Sequence, residues 1–314
     1  MSSTPALDAR PSTFERIRDR WQWTAVVANL VGQVLIIVTG GAVRLTGSGL
    51  GCSTWPECEP GHFTPQPHQA TSIHPFIEFG NRTVSGVLVV VALLVALLVV
   101  TDARRPWSYR RLGLVPVIGV LLQAVIGGIT VLVDLNPAIV GSHLLISMAL
   151  VAFSTWLVVR TREGDGPAVP LVDRTTRLLV RLLAGLTAVV LVLGVVVTGA
   201  GPHSGDDEVG YRFDVDPWLM AKLHAASVWA FVAVLVVVLV LLRRRGVTGR
   251  PWTTGLVLLG VTLGQGLIGY VQLFTGLPIG LVNLHMLGAA LLATAVTFFV
   301  GSLRSRAPEG VLHR

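Results

Sequence analysis

His143, His224 and His285 occupy matching places in the chain, six residues after Pro137, seven after Pro217 and seven after Pro278. Each proline heads an apolar run, and proline suits the first turn of a helix. At about 1.5 Å per residue, six or seven positions set each imidazole about 10 Å below its helix start. One such histidine on its own would be read as an interhelical hydrogen bond. Three at a common depth suggest ligation, because two imidazoles on facing helices can hold an iron porphyrin inside a helical bundle. His224 with His285 is the pair the spacing favours, and no carboxylate or thiol cluster lies beside them to favour zinc or copper.

A fourth run begins at Pro75, and here the same depth holds Asn81 and Arg82. The stretch "SIHPFIEFGNR" (72–82) places Glu78 and Arg82 four residues apart, an i, i+4 pair, with His74 one turn earlier on the same side. A carboxylate held in that setting can move protons as an acid or base. The plainer alternative is an ion pair that anchors the helix end.

The elements that must carry these residues are membrane helices. With 52% hydrophobic and 13% charged residues, the 314-residue chain contains eight apolar windows of the length that spans a bilayer. They run over roughly 24–43, 77–100, 113–133, 138–159, 178–200, 218–242, 253–275 and 279–302. The fold class is therefore an all-α polytopic membrane protein, and residues 1–20 are too polar for a cleavable signal peptide. Arginines at 104, 105, 110, 111, 160, 162, 174, 177, 181 and 243–245 fall on the side of the N-terminus, while Arg44, Arg82, Arg212 and Lys222 fall opposite. The positive-inside rule then puts both termini in the cytoplasm. The net charge of +7 is accounted for by this topology and needs no nucleic acid.

The chain also reads as a duplication. "LQAVIGGITVLVDLNPAIVGSHL" (122–144) aligns without a gap on "GQGLIGYVQLFTGLPIGLVNLHM" (264–286), and Gln123 to His143 and Gln265 to His285 are both 20 positions apart. "VTGGAVRLTGSG" has a weaker echo in "VTGAGPHSG". Two pseudo-symmetric four-helix bundles follow, in the same orientation and packed about an axis along the membrane normal. The expected divisions are a cytoplasmic segment 1–23, a first half 24–162, a cytoplasmic linker 163–177, a second half 178–303 and a cytoplasmic tail 304–314.

Together, "GGAVRLTGSGLGCSTWPEC" (40–58), "IEFGNR" (77–82), the two Gln-to-His segments and the duplicated eight-span plan resemble the heme A synthase family over roughly residues 24–302. The resemblance implies a b-type heme on axial His224 and His285 in the second half. It implies that the first half takes heme O as substrate and oxidises its C8 methyl to a formyl group, giving heme A for terminal oxidases. Glu78 matches the family's active-site carboxylate. A multi-pass protein of a bacterial-type cell membrane is implied, with a functional link to a heme O synthase and to terminal oxidase assembly. The uniform apolar helix faces admit a homo-oligomer without marking a surface for it.

One position departs from the family pattern. Many members have a histidine where Asn81 stands, paired with the residue matching His143. With His143 alone in register, either His74 supplies the second ligand from about 10 Å higher, or the substrate heme is five-coordinate on His143. Cys52 and Cys58, the only cysteines, lie in an external loop where a disulfide forms readily. It is either a structural staple or, as the resemblance suggests, a redox-active pair. The glycines of "TGSGLG" allow close approach to a flat ligand, and Trp55 is a lid or an interface anchor. Arg44, Arg82 and Lys222 are candidate contacts for heme propionates, and each could equally snorkel at the interface. His62, His68 and His203 are external, and His313 is in the tail. A diheme b-type electron carrier is the alternative function, but it would need two complete histidine pairs and no Glu78.

Overall fold

A computed structural model describes residues 12–66, 72–206, 208 and 210–307, so His68 and His313 lie outside the described residues. Among the described residues, eight helices are long and apolar enough to cross a membrane. They are α1 (Thr13–Leu45), α2 (His74–Val100), α3 (Trp107–Leu132), α4 (Pro137–Arg162), α5 (Arg174–Ala200), α6 (Pro217–Arg244), α7 (Arg250–Phe274) and α8 (Ile279–Ser302). A 3₁₀ turn at Arg111–Gly113 interrupts the start of α3. The protein is an all-α, multi-pass membrane protein.

The helix starts follow their prolines. Pro137 and Pro217 open α4 and α6, and Pro278 immediately precedes α8. Asn136 and Asp216 cap the first two through side-chain oxygens that accept the N–H groups of Ala138 and Trp218.

The first helix begins well before residue 24, where the apolar run starts. Ser12 and Glu15 form a reciprocal capping box at its N-terminus. Its polar first turns are tied to the end of α2, where Arg18 donates to the Thr101 carbonyl (3.2 Å) and Gln22 to that of Leu98 (3.0 Å). Partners for the polar side chains let the helix continue past its apolar stretch.

The expected linker and residues 304–306 of the expected tail also form regular structure. β1 (Ala168–Pro170) pairs antiparallel with β2 (Arg304–Arg306), joining the connection between the halves to the chain end. Glu163 beneath this pair holds Arg160 (2.7 Å) and Arg304 (2.8 Å), and Asp165 holds Arg105 (2.5 Å).

Each half is a ring of four helices, α1–α2–α3–α4 and α5–α6–α7–α8. The halves meet through α1 with α8, α4 with α5, and α4 with α8. A two-fold operation that exchanges α1 with α5 and α4 with α8 maps these contacts onto each other. Lipid supplies no hydrophobic drive between helices, so such contacts need close approach. A Cβ on Gly41 of α1 would lie 2.6 Å from Asn283 Oδ1 on α8, and one on Gly141 of α4 would lie 2.6 Å from Val195 on α5. Ile37, Met148 and Val151 pack with Ala290 and Ala293 between them.

The duplication extends to the backbone. Leu135 and Leu277, at the tips of the α3–α4 and α7–α8 turns, both adopt positive φ, 57° and 59°. Each donates its N–H to the carbonyl five residues back, Thr130 (2.9 Å) and Gln272 (2.8 Å). A left-handed conformation costs a branched residue about 1–2 kcal/mol. Both hairpins accept that cost to reverse direction within a few residues.

Candidate functional site

In the second half, α6 and α8 bring His224 and His285 together edge to face, with ring centres 6.4 Å apart and planes at 74°. Two imidazoles sharing one metal at about 2 Å per bond would have their ring centres about 6 Å apart. His224 Nδ1 donates to the Val190 carbonyl of α5 (3.1 Å), which leaves Nε2 with its lone pair for a metal. Among the described residues, no group of three or more His, Cys, Asp and Glu converges on a point. Two imidazoles without further protein donors suit a metal whose other ligands belong to a macrocycle.

The imidazoles sit in notches made by glycine. A Cβ on Gly194 of α5 would lie 3.2 Å from His224 Cε1, and one on Gly269 of α7 would lie 3.1 Å from His285 Cε1. Nδ1 of His285 is buried without a hydrogen-bond partner in the structure. In the first half, His143 of α4 rests in the same way on Gly127 of α3, whose Cβ would lie 3.4 Å from its Cε1. Gly127 and Gly269 occupy the same place in the two aligned segments.

The glutamines of those segments have a shared role that spacing alone does not reveal. Gln123 on α3 donates to the His143 carbonyl on α4 (2.9 Å), and Gln265 on α7 donates to the His285 carbonyl on α8 (2.6 Å). Each amide therefore fixes the neighbouring helix at the residue that carries an imidazole. Gln123 also reaches Ser147 Oγ. The repeated 20-residue interval marked these residues without saying what they touch.

Glu78 is buried on the inner side of α2. Its Oε1 accepts both Nη2 and Nε of Arg82 (2.5 and 3.2 Å), so the i, i+4 pair is formed. Its Oε2 accepts the backbone N–H of Cys52 (2.7 Å). The remaining donors of Arg82 point into the loop between α1 and α2, to the carbonyls of Thr54 (3.0 Å), Pro56 (3.4 Å) and Glu57 (3.1 Å). Cys52 and Cys58 form a disulfide and are both buried. The loop is thus fastened to α2 by its backbone. Its glycine acts by close approach, since a Cβ on Gly51 would lie 2.5 Å from the His74 backbone. Trp55 reaches across to α3 and lies against Gly128.

His74, at the head of α2, shares a hydrogen bond with Ser48 Oγ through Nδ1 (2.8 Å), and Ser48 is joined to Thr46 (2.7 Å). Its Nε2 is the ring nitrogen left for another partner. Asn81 is engaged as well, because its Oδ1 accepts the hydroxyl of Thr39 on α1 (2.7 Å).

Arg44 donates to the carbonyls of His203 (2.9 Å) and Thr198 (3.0 Å), linking the end of α1 to the second half. It lines a cavity of about 160 Å³ with His203, Ser204 and Arg212. His203 meets the Leu277 carbonyl (3.1 Å), and His62 closes a turn with Glu59. Lys222 lies exposed over the Trp218 ring, 5.6 Å from its centre. Glu78, Arg82 and the disulfide loop are brought together, whereas Lys222 stands apart from them on α6.

Comparison with known proteins gives a concordant result. Residues 21–203 match the family COX15-CtaA, described as a cytochrome oxidase assembly protein. The chain is 24% identical over 294 residues to the heme A synthase of Bacillus mycoides (strain KBAB4), across 89% of this chain and 92% of the relative. It is 33% identical over 147 residues to the heme A synthase of Shewanella oneidensis, across 42% of this chain and 43% of the relative. An Exiguobacterium heme A synthase is 29% identical over 136 residues, across 43% of this chain and 44% of the relative. In these last two alignments the chain spans less than half the length of the relative.

Proposed function

The chain belongs to the COX15-CtaA family of cytochrome oxidase assembly proteins, and we propose that it oxidises the C8 methyl of heme O to a formyl group, producing heme A. It is an oxidoreductase of the membrane. Two successive hydroxylations, each removing two electrons and adding one oxygen atom at the expense of an external oxidant, turn the methyl into a gem-diol, and loss of water leaves the aldehyde.

The asymmetry between the two halves carries this reading. The second half has two imidazoles 6.4 Å apart. At the matching depth the first half has one imidazole, His143, and on α2 a buried carboxylate, Glu78, with Asn81 hydrogen-bonded to Thr39 and His74 one turn above Glu78. A resident redox group suits the first arrangement and a reacting substrate suits the second.

Heme b bound by His224 and His285 would supply one-electron transfer. The residues of this chain have separate tasks around it. The Val190 carbonyl holds the His224 ring in the tautomer that offers Nε2. Gln265 and Gln123 hold α8 and α4 in register, so that His285 and His143 keep their depth. His143 binds the iron of heme O. Glu78 accepts and returns protons at Oε2, which carries a single backbone N–H from Cys52 while Oε1 carries both contacts from Arg82. Arg44, with Arg212 beside the same cavity, offers positive charge to a propionate at the outer face.

Orientation follows the arginines, with both termini cytoplasmic and the Cys52–Cys58 loop outside. A heme O synthase supplies the substrate, and assembly of a terminal oxidase consumes the product.

The test is an inventory of hemes extracted from purified protein and separated by chromatography, with and without added heme O. Heme B together with heme O or heme A is the expected result; heme B alone, unchanged when heme O is supplied, would reject the reading. Electron paramagnetic resonance of the same sample reports the ligands of heme O. A high-spin ferric signal unaffected by His74→Ala corresponds to five-coordination on His143. A low-spin signal that His74→Ala converts to high-spin assigns His74 as the second ligand.

The glycine notches give a further expectation. Alanine at 194 or 269 would press on an imidazole from 3.2 or 3.1 Å, tighter than ordinary contact. Gly194→Ala and Gly269→Ala should therefore retain heme B while rotating or tilting one axial ligand. The readout is a shift in the low-spin g values and in the midpoint potential of heme B. Identical spectra and potential in both variants would show that the notches do not orient the ligands.

A further inference from the structure

In each half a tryptophan bridges the second helix to the third, but the two are carried differently. In the second half, Trp229 of α6 donates its indole N–H to the hydroxyl of Tyr270 on α7 (3.1 Å), and Tyr270 stacks on Phe274. In the register that pairs Gln123 with Gln265 and His143 with His285, the counterpart of Tyr270 is Gly128. The first half thus lacks a side chain where the second has a large one. That space is filled from the external loop, where the Trp55 ring lies 2.5–2.9 Å from the place a Cβ on Gly128 would take. The carbonyls on either side of Trp55, those of Thr54 and Pro56, accept hydrogen bonds from Arg82 of α2. Trp55 therefore links α2 to α3 as Trp229 links α6 to α7. Its seat adjoins Gly127, on which His143 rests.

We propose that Trp55 is the removable wall of the substrate site, closing between α2 and α3 the place that the exposed Trp229–Tyr270 pair bridges between α6 and α7. This rests on the reading that the first half takes heme O. A wall carried by two helices opens only if the helices part. A wall carried by a loop segment swings away once the Arg82 contacts and the ring's seat on Gly128 are given up, while Cys52 stays anchored on Glu78. A resident group needs the first kind of wall, and a porphyrin that arrives as substrate and departs as product needs the second. The indole also offers a large flat apolar face, suited to lying against a macrocycle.

The experiment measures heme transfer from the full-length protein in lipid nanodiscs to excess apomyoglobin, after loading with ferric heme B as the probe. Wild type should show a slowly transferred heme in the first half and one in the second half that is retained. Trp55→Ala should release the first about tenfold faster, equivalent to losing roughly 1.4 kcal/mol of contact. Gly128→Ala, which displaces the ring without deleting it, should do the same, and Trp55→Phe should release the heme at close to the wild-type rate. None of the three should alter retention of the heme in the second half. A protein that takes up no second heme overturns both the functional reading and this inference. A second heme that binds normally but leaves Trp55→Ala and Gly128→Ala within about twofold of the wild-type rate overturns this inference alone.

Discussion

Glu78→Gln is expected to stop heme A formation while heme B stays bound. The substitution preserves the size of the side chain and an oxygen for the Cys52 N–H, which now meets Oε2 at 2.7 Å. It removes the charge facing Arg82 and the capacity to take up a proton. A positioned acid or base is worth about 10²–10⁴ in rate, so heme O or its hydroxylated intermediate should accumulate in the extract. The competing view is that Glu78 only anchors the loop through Arg82 and Cys52. That view predicts a loosened loop, seen as faster thiol labelling after mild reduction, together with wild-type proportions of heme A. Finding both would remove Glu78 from the chemistry.

His224→Ala and His285→Ala should each lose heme B from the purified protein and, with it, heme A formation. Removing a partner that only orients a ligand already costs about 10–100-fold in metal affinity, and removing the ligand itself costs more. The pairing geometry makes the two variants equivalent, because each imidazole supplies one side of a 6.4 Å gap. His143→Ala, in the other half, should keep a full complement of heme B and fail to hold heme O. Pyridine hemochrome assay of heme B per protein separates the outcomes. Equal loss of heme B in all three variants would mean that the halves do not hold distinct hemes.

Much of the architecture could be read along the chain. The apolar windows located eight spans, and the prolines at 137, 217 and 278 marked three helix starts and hence the common depth of three imidazoles. The aligned segments exposed the duplication before any contact was known. The bounds were less legible where polar residues found partners elsewhere. Arg18 and Gln22 extend α1 by bonding to the end of α2, and Glu163 organises the linker and tail by gathering arginines from both.

The site was only half legible. The spacing of Glu78 and Arg82 predicted their contact. Nothing in that spacing indicated that Arg82 would hold three carbonyls of the disulfide loop, or that Cys52 would donate to Glu78. Gly127, Gly194 and Gly269 looked like ordinary small residues of membrane helices until the imidazoles were seen resting on them. Gly128 gained meaning only from a tryptophan more than 70 positions away in the chain.

The sequence by itself determined the number of spans, the two-fold plan and the depth of the histidines below their helix starts. Those properties are local, because a segment in lipid must satisfy its own backbone hydrogen bonds and therefore forms a helix wherever it is apolar for long enough. Tertiary structure alone decided how closely His224 and His285 approach, which glycines receive the imidazoles and which loop closes over Glu78. Such contacts depend on the shapes of side chains from different helices meeting at close range, and hydropathy holds no record of them.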